Sequence, residues 1–226
     1  SSGTGSSKIT GIYFSSGINS VIQNNIVSPA TGSALRLMYG IQSSADTMSL
    51  LSNTITQSSI GIDTRGKYSI VKQNTIKNTQ GTGISISSGV NQRVSENRIS
   101  GLFDGKGISV GANNSLVANN YVQTEGSGNS VGISVVSGGT SSSVVFNSVN
   151  VTGIDPTYGR AFELSSLVTN LTIKNNIFAN NGGGYATYVP LSSMPTGSNW
   201  DYNDYYSSFG KIAVSYTHLR AHETRE

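Results

Sequence analysis

Apolar and polar positions alternate along this chain in short bursts, and the bursts recur. A small residue followed by apolar, any, apolar appears as Ala34-Leu35-Arg36-Leu37, Gly83-Ile84-Ser85-Ile86, Gly107-Ile108-Ser109-Val110, Gly132-Ile133-Ser134-Val135 and Ala161-Phe162-Glu163-Leu164. Gly11-Ile12-Tyr13-Phe14 fits at the start, and Gly61-Ile62-Asp63-Thr64 and Ala186-Thr187-Tyr188-Val189 fit more loosely. Alternation over three or four residues is a short strand with one buried face. No sustained helical period interrupts the repeats, and none leaves room for a crossover helix.

A second phrase runs in phase with the first: an Asn three residues after one apolar position and two before another. Its eight copies, the seventh with Thr172 in the first apolar slot, centre on Asn24, Asn53, Asn74, Asn97, Asn120, Asn147, Asn175 and Asn203, which are 29, 21, 23, 23, 27, 28 and 28 residues apart. A period in the twenties predicts a solenoid whose coils bury their apolar faces only against one another. The expected fold is all-β, a parallel β-solenoid of about eight coils over residues 1–214, roughly 34 Å long at strand spacing. Asn tolerates the left-handed conformation of a tight corner. Stacked in register, the same eight side chains are expected to form an amide ladder, which a buried polar group requires.

The Gly-Ile-x-Val and Val-x-x-Asn-x-Ile phrases resemble those of right-handed parallel β-helix proteins of the pectate-lyase-like superfamily. The likeness covers about residues 8–214. The stretch from Asn175 to Tyr206 is similar to the last coils of large bacterial surface proteins of this type. The resemblance implies a right-handed, single-stranded parallel β-helix in a secreted or cell-surface bacterial protein. It leaves activity open, because one scaffold serves lyases, hydrolases, epimerases, adhesins and stalks.

Composition narrows the partners. Charged residues are 11% of the 226 and the net charge is +3, with no Lys/Arg run, which argues against nucleic acid. Zero Cys excludes disulfides and thiol chemistry. No apolar run approaches the ~18–20 residues of a membrane span. Ser1-Ser2-Gly3 opens the chain without Met, so it reads as the interior of a longer parent. After Ala213 the repeats stop, and residues 215–226 resemble a translated sequencing-adaptor read-through, expected to be non-native or disordered. His218 and His222 have helical metal-pair spacing there, but with no third ligand no metal site is expected.

Lyases and hydrolases of the resembled family imply a groove along the outer face of one sheet. The outward positions of the small-apolar-x-apolar phrase are read as Tyr13, Arg36, Asp63, Ser85, Ser109, Ser134, Glu163 and Thr187. Loops expected beside this face carry Phe103, Asp104, Lys106 and Glu125, and a longer one carries Asp155, Tyr158 and Arg160. These residues make the candidate ligand site, with Tyr158 offered for stacking on a sugar ring. Plainer readings stand beside it: an Arg36–Asp63 cross-strand ion pair, and Asp104 as a turn former.

Catalysis of a familiar kind is not expected. Asp63 and Glu163 stand four coils apart, about 19 Å at cross-β spacing, too far to share a metal or a glycosidic bond. The phrases of the polygalacturonase family are absent, and no His lies in the repeats. No cofactor is predicted, although calcium at Asp201 and Asp204 is conceivable. Trp200, Tyr202, Tyr205, Tyr206 and Phe209 are expected to close the final coil. The function these features suggest is a non-catalytic scaffold or weak glycan-binding module. A polysaccharide lyase or glycoside hydrolase and an inert adhesin stalk are the alternatives.

Overall fold

The computed structural model describes residues 9–29, 36–164, 168–189, 195–209 and 211–214. Among them are strands and turns but no helix, so no helix is long and apolar enough to cross a membrane. Every strand pairing is parallel. An eight-stranded sheet runs from Val21–Gln23 through Arg93–Ser95 to Asn199–Asp201. A 16-stranded sheet supplies the other two faces of the coil, joined where the single strand Arg98–Val110 crosses both. The eight rungs of the smaller sheet bound seven full turns.

Each face sends one row of side chains inward. The smaller sheet contributes Leu50, Val71, Val94, Val117, Val144 and Ile173; the next face contributes Ile55, Ile76, Ile99, Val122, Val149 and Phe178; the glycine-led face contributes Ile41, Ile62, Ile84, Ile108, Ile133 and Phe162. Like side chains stack on like at strand spacing, so one continuous core fills the tube. The small residue that opens each Gly-x-x-x phrase is a packing requirement. A Cβ on Gly107 would collide with Val122 and with the Gly132 carbonyl.

The amide ladder is present, with two rungs shifted by one residue. The side-chain amides of Asn25, Asn53, Asn74, Asn97, Asn120, Asn147 and Asn176 each donate to the carbonyl oxygen of the next rung, ending at Asn203. The first and seventh rungs are therefore Asn25 and Asn176, not Asn24 and Asn175. Adjacent Asn pairs occur at both places, and only one member of each faces inward. The left-handed corner also belongs to the preceding residue. Asn24, Ser52, Gln73, Glu96, Asn119, Phe146, Asn175 and Tyr202 all have φ between 52° and 58°. The corner thus asks only for tolerance of positive φ, whereas the ladder position asks for an amide.

The aromatic residues of the last coils divide between two sides. Trp200 and Tyr205 take inward positions, stacking on Ile173 and Phe178. Phe162 and Phe178 lie with ring centroids 5.1 Å apart, and Trp200 meets Phe162 edge-on at 5.4 Å. Tyr202, Tyr206 and Phe209 instead point outward and are more than half exposed. The expectation of a cap built from all five is corrected to an aromatic core with an exposed fringe. Asp201 Oδ1 accepts the Tyr202 N–H, a turn-acid role. Ala34 and Leu35, the first residues of the chain and the tail from 215 onward lie outside the described residues.

Candidate functional site

The outward row of the glycine-led face follows from strand register. Tyr13, Gln42, Asp63, Ser85, Ser109, Ser134, Glu163 and Tyr188 stack in successive coils. Two expected members change. Gln42 stands where Arg36 was placed, because the second coil uses Gly40-Ile41-Gln42-Ser43 for its phrase. Thr187 pairs with Phe162 in the core row and is buried, so Tyr188 is the outward residue.

At one end of the row, the buried Asp63 carboxylate accepts bonds from Arg65 Nε at 2.9 Å, Gln42 Nε2 at 3.2 Å and Ser87 Oγ at 3.2 Å. The expected Arg36–Asp63 pair does not form. Arg36 donates instead to the Asn78 carbonyl at 2.8 Å. Four coils away lies Glu163, with its side chain only 5% exposed. Glu163 Oε1 accepts Ser134 Oγ at 2.9 Å and Lys106 Nζ at 3.3 Å, while Oε2 accepts Arg160 Nη1 at 2.5 Å. Lys106 belongs to the coil two below Glu163, and its long side chain spans the intervening Ser134.

The Arg160 guanidinium also lies 3.6 Å from the Tyr188 ring centroid and 5.5 Å from that of Tyr158. Its planar charge is thereby held between two aromatic faces. The loop that presents Tyr158 is shaped by Asp155, whose Oδ1 accepts the N–H groups of Thr157 and Tyr158 at 2.8 and 2.7 Å. Those two bonds hold the Asp155 carboxyl below its ordinary value. Lys211 ties the loop down by donating to the Pro156 carbonyl at 2.8 Å, and it sits 5.2 Å from the Tyr185 ring. Tyr185 in turn packs on Tyr188 with centroids 5.6 Å apart.

The structure thus gathers Tyr158 and Arg160 with Lys106, Ser134, Glu163, Tyr185, Tyr188 and Lys211. Phe103, Asp104 and Lys106 lie on the strand Arg98–Val110 and not in a loop. Phe103 is exposed and in register with Gln80 and Glu125. Asp104 has φ of 50° and accepts the Gly128 N–H at 2.7 Å, which orders the next coil's loop. Tyr185, Tyr188 and Lys211 were missed by sequence reasoning. The one-residue slip at Thr187 concealed Tyr188, and Lys211 follows the last recognisable repeat.

Burial raises the Glu163 carboxyl's pKa, but the hydrogen bond from Arg160, the Lys106 charge and the Ser134 hydroxyl outweigh it and leave the pKa lowered. With both oxygens engaged and its proton affinity reduced, Glu163 is poorly suited to act as a general acid or base near neutral pH. Its depressed folded pKa contributes stability that is present above the unfolded value and lost as pH falls through the folded one. Stability is therefore expected to hold steady from pH 7 to about 4.3, the ordinary glutamate value, and to fall below it. Urea melts at stepped pH check this, and Glu163→Gln should make the acid limb shallower. Among the described residues, no three His, Cys, Asp or Glu side chains come together as a metal site.

A family model described as a right-handed beta helix region matches the chain over residues 4–149 and 39–199. No curated protein and no solved structure matches it. With that match spanning most of the sequence, and with parallel coils, a stacked core and an Asn ladder in place, the chain belongs to the right-handed β-helix family.

Proposed function

We propose that this chain is a non-catalytic β-helix segment of a secreted or cell-surface bacterial protein, and that it binds an anionic polysaccharide along its glycine-led face. The observation that supports this reading is the Arg160 guanidinium held between Tyr158 and Tyr188 beside Lys106. Lys106 and Arg160 share the carboxylate of Glu163, and Lys211 at the edge adds a third positive charge that the Asp155 carboxylate partly offsets. Three cations against two carboxylates leave one positive charge in excess next to half-exposed aromatic rings. Sugar rings stack on aromatic faces, and a guanidinium fork matches a carboxylate or sulfate. Beside the cluster the hydroxyls of Ser134, Ser109 and Ser85 line up along one axis, as contacts to an extended polymer require.

The test is gel retardation of the full chain on acidic and neutral polysaccharides, with and without calcium, alongside assays for new reducing ends and unsaturated uronates. Retardation by acidic polymers without cleavage is expected. Arg160→Gln should weaken it about tenfold, the loss expected for a charged hydrogen bond. Cleavage that survives repurification would favour a lyase or hydrolase. No retardation and no cleavage would favour a structural stalk.

A further inference from the structure

A depression lies on a different face from the Arg160 cluster, at the corner where each coil enters the smaller sheet. It encloses about 370 Å³ and is lined by Tyr68, Ile70, Asn91, Gln92, Arg93, Asn114 and Leu116, from three successive coils. Strand register puts Ile70, Arg93 and Leu116 in one outward row. Tyr68, Asn91 and Asn114 form the neighbouring corner row, with φ of 58°, 57° and 52°. Tyr68 is 54% exposed, and its ring stands beside two much shorter amide side chains.

The polar groups at this depression are incompletely used. Asn114 Nδ2 donates to Asn91 Oδ1, which orients the Asn91 amide and leaves its own Nδ2 without a partner among the described residues. The Arg93 guanidinium has no hydrogen bond or ion pair among the described residues, although its backbone is fixed in the sheet. The nearby Glu96 is already engaged by Lys72 and Gln73. Gln92 is fully buried; its Nε2 donates to the Ser88 carbonyl, while its Oε1 has no partner among the described residues.

We infer that this depression is a second carbohydrate subsite, built for a pyranose ring carrying an anionic substituent. Tyr68 offers an aromatic face, and Ile70 and Leu116 offer aliphatic surface for the ring's C–H groups. Arg93 supplies a bidentate donor for a carboxylate or sulfate, and Asn91 Nδ2 supplies a neutral donor for a hydroxyl. The inference does not rest on the reading of the Arg160 face. Where both subsites hold one polymer, they act as two linked contacts and raise its avidity.

Backbone amide shifts of the isotopically labelled full chain, titrated separately with an oligouronate, a sulfated oligosaccharide and a neutral oligosaccharide, test this directly. Saturable shifts at Tyr68, Asn91, Arg93 and Asn114 are expected with an acidic sugar, and the stronger of the two acidic probes identifies the anion. Arg93→Gln should weaken those shifts at least about tenfold. Tyr68→Asn should weaken them as well while keeping the corner folded, because Asn occupies the equivalent positions of the next two coils. Arg160→Gln should leave them in place. Shifts confined to the Arg160 face, equal shifts with the neutral sugar, or shifts indifferent to Arg93→Gln would overturn the assignment.

Discussion

Asn120→Ala is expected to lower the unfolding free energy by about 4 kcal/mol, and Tm by roughly 10 °C for a chain of this size. The Asn120 amide donates to Asn147 Oδ1 and to the carbonyls of Val94 and Ala118, at 2.9, 3.0 and 3.1 Å. Its own Oδ1 accepts the Asn97 backbone N–H and Nδ2, each at 3.0 Å. Alanine removes all of these at once in a buried, dry position. The Asn97 backbone N–H is left with nothing to bond, Asn97 Nδ2 keeps only the Val71 and Ser95 carbonyls, and the carbonyls of Val94 and Ala118 lose a partner. Asn119→Gly, one residue away, is the matched control. Asn119 occupies the left-handed corner and is exposed, so glycine suits its φ of 57° and should change stability by no more than about 0.5 kcal/mol. Chemical denaturation of both variants decides the point. Equal losses would mean that the ladder contributes nothing beyond the corner.

Glu163→Ala should cost about 3 kcal/mol at pH 7, at the low end for breaking a buried pair. The wild-type carboxylate neutralises Arg160 and Lys106, whose side chains are 13% and 26% exposed. Without it, two cations face each other across one coil with only the Ser134 hydroxyl between them. Lys106 can swing toward water, which limits the loss. The same variant also bears on function. A ligand carboxylate can take the vacant place between the cations, so an acidic oligosaccharide should raise the Tm of Glu163→Ala more than that of the wild type. A neutral oligosaccharide should raise neither. If the acidic sugar leaves the variant's Tm unmoved, the cationic cluster serves the fold and not a ligand.

How much of this could be read in advance differs by residue. The Gly107-Ile108-Ser109-Val110 type of phrase identifies both the strand and its inward side, because alternation has a period of two and the interior accepts only apolar side chains. Asp63 and Glu163 could likewise be placed on one outward row and four coils apart. Arg36 was misplaced because Ala34-Leu35-Arg36-Leu37 satisfies the phrase in full, whereas Gly40-Ile41-Gln42-Ser43 in the same coil ends on a polar residue and fits it only loosely. Only pairing with the neighbouring strand selects the second. Asn24 and Asn175 failed for a similar reason. In an Asn-Asn pair either member satisfies the spacing, and the stacking of Asn53 and Asn203 selects the later one.

The architecture was therefore legible along the chain: a parallel solenoid, its coil length, the inward side of its recurring strands and an amide repeated once in every coil. Repetition makes these legible, since a local pattern copied every twenty-odd residues can bury its apolar face in only one way. Tertiary structure alone decided the exact rungs and the site. Lys106 reaches Glu163 across 57 residues, and Tyr188 meets Arg160 from the adjacent coil. Such contacts depend on side-chain length and on which coil lies above which. Those distances exist only once the strands have stacked in register, and no spacing along the chain encodes them.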